Sequence, residues 1–155
     1  MKVNPKMAAL AALAAAAALV KPWEGVSTAV YADIVGVPTV CYGSTRGIRL
    51  GQPRRTMDDC RRLLDGDLAV AQATVRRCIG PDLPTPTEAA LISFVFNVGP
   101  SGVCGSTLQR HMQAGHIAQG CGQLMRWVNA GGRRVQGLVN RRQSEYRVCM
   151  EGAAQ

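Results

Sequence analysis

From Met7 to Val20 the chain runs MAALAALAAAAALV, fourteen residues without a charge, a glycine or a proline. Alanine loses the least free energy on entering a helix, so this run is a helix wherever it lies. Lys2 and Lys6 precede it and Lys21 follows it. Fourteen helical residues span roughly 21 Å, against roughly 30 Å for the hydrocarbon core of a bilayer. A short apolar run behind a basic flank, rich in Ala-x-Ala sites, has the form of a secretory signal. The positive flank holds the N-terminus in the cytoplasm and sends the remainder outward. A cut between Ala14 and Ala18 would leave one or two helical turns ahead of Glu24. A purely soluble alanine helix is the other way to account for the run.

Two residues beyond Lys21 begins Trp23-Glu24-Gly25, and then Tyr31 to Gly43 alternates apolar and polar positions around Gly36 and Pro38. That alternation predicts a short β-hairpin, with Glu24 at the end of the alanine helix. Asp and Glu together number 10, so two acids flanking an apolar, glycine-bearing segment stand out. A carboxylate at a helix end opposite one on a sheet gives an enzyme two acids in different surroundings. Apolar surroundings keep one protonated while the other stays ionised. Glycoside hydrolysis needs such a pair: an acid to protonate the leaving oxygen, and a carboxylate across the ring to act on water or attack directly. The competing account makes Glu24 and Asp33 ordinary solvated surface acids.

Downstream, Arg46 to Pro53 is a glycine-punctuated turn region. Thr56 is a good N-cap with Asp58 and Asp59 in the first turn. Met57, Cys60, Leu64, Leu68, Ala71, Val75 and Cys78 then recur every three or four positions, which predicts one long amphipathic helix joining two lobes. Thr85-Pro-Thr-Glu88 has the form of a capping box and opens the most apolar helix, Ala89 to Val98. Shorter helices are expected at Thr107–Gln113, Ile117–Trp127 and Leu138–Cys149, separated by glycine-rich turns. His111 and His116 read as surface residues, and Trp127 as a core residue.

The net charge of +8 favours an anionic partner. Nucleic acid fits poorly: the arginines fall in scattered pairs, with no aromatic-interleaved basic stripe and no zinc-finger spacing. Anionic envelope material fits better. Six cysteines stand 17 to 28 residues apart with no Cys-x-x-Cys, and neither histidine lies at a ligand spacing, which argues against a metal. An even number in a small chain points to disulfides and an oxidising compartment, with fifteen possible connectivities; six buried free thiols are the alternative.

Glu24, eight residues, Asp33, five residues, Thr39 resembles the Glu–Asp–Thr triad of phage lysozymes of glycoside hydrolase family 24. Asp33-Ile-Val-Gly-Val37, Phe94-Val-Phe-Asn-Val-Gly99, Ser106-Thr-Leu108, Arg126-Trp127, Ala130-Gly-Gly132 and Asn140-Arg-Arg142 resemble further landmarks of that family, so the likeness covers nearly the whole chain. It implies an α+β, lysozyme-like fold: a small β lobe, a long connecting helix and a helical lobe with a cleft between. It implies a muramidase that hydrolyses the β-1,4 link between N-acetylmuramic acid and N-acetylglucosamine, with peptidoglycan as partner, no cofactor, no metal and no nucleic acid, in a monomer. Glu24 would be the general acid, Asp33 the carboxylate facing developing positive charge, and Thr39 the residue holding water. Tyr42 and Asn97 would bind substrate. An inverting course would need the carboxylates about 6.5–9.5 Å apart.

The likeness also implies the pairing Cys41–Cys60, Cys78–Cys104 and Cys121–Cys149. It favours keeping the alanine segment, because the fold needs a helix ahead of Glu24. Residues 1–21 then resemble the signal-anchor-release segments of a subgroup of these lysozymes, with residues 22–152 the catalytic domain. Localisation would be the host inner membrane, through residues 7–20, and then the periplasm, for host lysis. One departure is Ser44, where many relatives carry a His that pairs with an Asp on the long helix, here Asp67. That ion pair is expected to be absent, with its stabilising effect supplied by other contacts. A basic membrane-active protein and a non-catalytic peptidoglycan binder are the competing functions.

Overall fold

The computed structural model describes residues 3–155; Lys2, counted above in the basic flank, lies outside them. The alanine run forms α1, Pro5–Val20, longer at its start than the apolar stretch because Asn4 caps it. The Asn4 side chain accepts from the Lys6 backbone N–H at 2.9 Å, and Pro5 stands where a missing N–H costs nothing. Ala12, Ala16 and Val20 are fully buried along one side of α1, which packs on α3 and α2. Among the described residues, no helix is long and apolar enough to cross a membrane.

The β lobe is an antiparallel pair, β1 (Ser27–Ala32) and β2 (Pro38–Cys41). Its first strand begins before the Tyr31 expected from alternation. The ladder is irregular between Ser27 and Tyr31, and that irregularity erases the period-2 pattern on which the expectation rested. At the tip Asp33 Oδ1 accepts from the N–H groups of Val35, at 2.9 Å, and Val37, at 2.8 Å, while Gly36 takes φ 85°.

The long helix α2, Met57–Cys78, matches its expected span, and Thr56 with Asp59 makes a reciprocal capping box. The Thr56 backbone N–H foremost, and then the Thr56 hydroxyl, hold the Asp59 carboxyl below its ordinary range. Cys41 and Cys60 stand 2.01 Å apart in sulfur–sulfur distance, fastening the end of β2 to the first turn of α2. Ser44 modifies the expectation about Asp67. Its hydroxyl donates to Asp67 Oδ2 at 2.5 Å, so the tie that an ion pair would make persists as a hydrogen bond to a carboxylate.

The helical lobe centres on α3, Thr85–Val98, every residue of which from Thr87 to Val95 is buried. The expected capping box at its start does not form. Pro84 is the N-cap, no side chain caps the helix, and Glu88 turns into the protein. There its Oε1 accepts from Arg76 Nε at 2.5 Å and Gln72 Nε2 at 3.2 Å, and its Oε2 from Arg76 Nη2 at 3.0 Å. A charge-assisted bond to a guanidinium outweighs a neutral backbone N–H, so the tertiary partner wins. Glu88 in turn raises the tendency of Arg76 to stay charged.

Around α3 lie α4 (Thr107–Gln113), α5 (Ile117–Gly122) and α6 (Gln136–Ala153). The helix expected over Ile117–Trp127 tightens to a 3-10 turn at Gln123–Arg126, and α6 outruns the expected Leu138–Cys149 at both ends. Two-residue strands β3 (Asn129–Ala130) and β4 (Arg133–Arg134) flank Gly131 and Gly132, both at positive φ, where only a glycine-rich turn was expected. Cys78–Cys104, at 1.98 Å, ties the end of α2 to the turn ahead of α4, and Cys121–Cys149, at 2.00 Å, joins α5 to α6. Trp127 is half-buried with its ring edge-on to Phe94, centroids 5.6 Å apart. His116 is exposed and His111 partly so.

Candidate active site

Beyond Val20 the chain makes one more turn, in which the N–H groups of Trp23, at 3.0 Å, and Glu24, at 3.3 Å, both donate to the Val20 carbonyl. The turn carries the Glu24 side chain to α6. There Arg141 Nη1 donates to Glu24 Oε1 at 2.7 Å. The Glu24 side chain keeps 26% of its exposure while that of Arg141 keeps 5%, so the acid is held from behind and open in front.

In front lies a cleft of about 430 Å³ between the β lobe and the helical lobe. Tyr42, Gly43 and Arg46 line it from the β lobe, Asp67 from α2, and Asn97 from the last turn of α3. Glu24 and Gly43 also border a second hollow of about 250 Å³, with Ser27 and Tyr31 on its far side. Glu24 thus stands where two concavities meet. Asn97 Oδ1 accepts from Arg142 Nη2, so α6 supports this side chain as well.

Of the residues singled out from the sequence, Glu24, Tyr42 and Asn97 share the cleft. Asp33 and Thr39 line neither the cleft nor the hollow. Asp33 sits at the hairpin tip, with Oδ1 taken up by the turn. Thr39 is buried on β2 and its hydroxyl donates to the Val37 carbonyl at 2.9 Å. Thr39 is nevertheless the cross-strand partner of Tyr31, which does line the hollow, so the pair shares a face of the hairpin.

Sequence reasoning missed what lies behind the acid. Arg141, Arg142 and Glu145 are all buried on α6, although Asn140-Arg-Arg142 carried only a likeness and no role. Glu145 Oε1 accepts from Ser93 Oγ at 2.7 Å and from Arg141 Nε at 3.4 Å, and Arg142 Nε lies 3.1 Å from Oε2. Burial pushes the Glu145 carboxyl up and the Arg142 guanidinium down from their ordinary values. The one local signal was a double arginine with a glutamate three and four residues on, which places all three along one side of a helix.

The model of the family described as phage lysozyme matches residues 21–145. The chain belongs to the phage lysozyme family. It is a lysozyme-type hydrolase whose substrate class is peptidoglycan. Among similar proteins, the SAR-endolysin of Enterobacteria phage PA-2 is 45% identical over 130 residues, covering 83% of this chain and 78% of that protein. The SAR-endolysin of Pseudomonas phage phiKMV is 38% identical over 150 residues, covering 94% and 92%. The crystal structure of the active form of P1 phage endolysin Lyz shares the fold, with a TM-score of 0.81 at 22% identity over 97% of this chain and 96% of that one.

Proposed function

We propose that the enzyme is an endolysin: a muramidase that opens the glycan strands of peptidoglycan for host lysis, with Glu24 as its general acid. The observation that carries this reading is the partly exposed Glu24 at the junction of two concavities, gripped by the buried Arg141 at 2.7 Å. A fixed, half-open carboxylate in a cleft suits protonation of a leaving oxygen. In the same proposal Asp33 faces the positive charge that develops on the sugar and Thr39 holds water. Tyr42 and Asn97 contact the glycan in the cleft they share. Inversion at the anomeric carbon is the expected stereochemistry, to be read from the configuration of the first-formed product.

Glu24→Gln should lower clearing of purified cell wall by about 10²–10⁴-fold with folding intact, the usual worth of a general acid. A Gln variant as active as the unmodified enzyme ends the assignment. Leakage of lipid vesicles that survives the same substitution would instead mark a membrane-active protein, and pull-down of wall without clearing a binder.

For the N-terminal segment the proposal is double service. Residues 1–21 first lie in the inner membrane as a retained anchor, with Glu24 held at the head groups and unable to reach its cleft. They then leave the bilayer, the protein enters the periplasm, and the segment becomes the first helix of the catalytic domain, residues 22–152. Support comes from α1 having no polar side beyond Lys6: Ala12, Ala16 and Val20 are buried, while Met7 and Leu10 are exposed. The N-terminal sequence of the mature active enzyme decides between retention and cleavage. Full activity of the enzyme while embedded in energised membranes would rule out the silencing.

A further inference from the structure

We propose that Glu145 is a positioning residue for the hydrolysis. Its buried carboxylate is shared between two arginines and so sets Arg141 against Glu24 and Arg142 against Asn97. The proposal rests on the assignment of Glu24 as the acid.

The cluster is costly as mere packing. Glu145 and Arg142 are wholly buried and Arg141 is nearly so. Among the described residues, Arg141 Nη2, Arg142 Nε and Nη1, and Glu145 Oε2 have no hydrogen-bond partner. Arg142 and Glu145 therefore meet by charge at 3.1 Å without an aligned hydrogen bond. The Arg142 guanidinium carbon also lies 5.0 Å above the Phe94 ring. Apolar side chains of like volume commonly stabilise a fold as well as a buried ion cluster does, so stability alone gives little reason for this one. Both of its outer ends reach the cleft, Arg141 at Glu24 and Arg142 at Asn97.

A general acid must be held still, yet it must keep its proton until transfer. Arg141 alone satisfies the first demand and opposes the second, because a neighbouring cation favours the ionised carboxylate. Glu145 engages Arg141 from its Nε side, while Nη1 goes to Glu24. Its negative charge offsets the two arginines, and Ser93 fixes the oxygen that faces Arg141. Charged or titratable groups that share the cleft with Glu24 are Tyr42 and Arg46 of the β lobe and Asp67 of α2, and Tyr31 shares the hollow. Around Glu145, α3 contributes the Ser93 hydroxyl, while the acid of α3, Glu88, is paired with Arg76 instead. α5 meets α6 at the Cys121–Cys149 bridge, and Arg126 of the following turn is exposed.

The test is the pH profile of kcat for the full, disulfide-bonded enzyme on soluble peptidoglycan strands. With Glu145→Gln the arginines lose their counter-charge, and the alkaline limb of the profile should move down by about one pH unit. Glu145→Asp keeps the charge and shortens the reach, so its limb should stay while kcat falls. An unmoved limb in Glu145→Gln overturns the proposal. Should that variant fail to fold by near-ultraviolet circular dichroism, Ser93→Ala decides, since it leaves every charge in place. Its kcat per folded molecule should fall about threefold at unchanged KM, and an unchanged kcat overturns the proposal. Glu24→Gln in the same assay separates the two ideas. An active Gln variant removes the acid assignment itself, whereas an inert one beside an unmoved Glu145→Gln limb removes only the role of Glu145.

Discussion

Arg141 holds two carboxylates at once, and Glu88 holds an arginine and a glutamine; in both cases a single side chain joins elements that no local rule would pair. Glu88 shows how a residue can carry a helix-start signature and serve elsewhere. Replacing it by Gln leaves the Arg76 guanidinium without its counter-charge behind a 3%-exposed position. Because Arg76 itself keeps 30% of its exposure, the loss should fall below that of a fully buried pair, at about 2–3 kcal/mol. A urea midpoint for Glu88→Gln equal to that of the unmodified enzyme would show that the pair contributes nothing.

At the scale of elements, α6 and α3 meet at a spot with no spare room. A Cβ added to Gly152 would lie 2.0 Å from Thr87 Oγ1 and 2.9 Å from Pro84 Cβ. The Thr87 hydroxyl already donates to the Cys149 carbonyl at 2.9 Å, so it cannot swing aside without losing that bond. Gly152→Ala should therefore cost about 2–3 kcal/mol, read as a fall in Tm, despite alanine's better helix propensity. A Tm at or above that of the unmodified enzyme would mean that the two helices slide apart freely.

The elements legible from sequence were those in which several local signals agreed. For α2 a cap, first-turn acids and a three-four apolar rhythm all named one span, and Cys60, Leu64, Leu68, Ala71 and Val75 are indeed buried. The start of β1 was illegible because a ladder irregularity broke its alternation. Glu24, Tyr42 and Asn97 could be read from a likeness of motif. Glu145 could not: the double arginine before it sets all three on one side of α6 but leaves open whether that side faces protein or water. Its partner Ser93, and the Asn97 that Arg142 holds, are brought to α6 by packing alone.

For the molecule as a whole, three sulfur–sulfur links fasten the β lobe to α2, the end of α2 to the turn ahead of α4, and α5 to α6. Each should contribute about 2–4 kcal/mol, so the reduced enzyme should unfold at far lower denaturant than the oxidised one. Mass measurement should show a gain of two hydrogens per bridge on reduction. No gain would mean that the pairs are thiols in contact. The basic surface, at a net +8, also makes the approach to an anionic wall sensitive to salt.

The hydrogen bond between Glu24 and Arg141 spans 117 positions of the chain. A ribosome delivers the carboxylate 117 residues before the guanidinium that holds it. A nascent or truncated product therefore carries the carboxylate without its clamp.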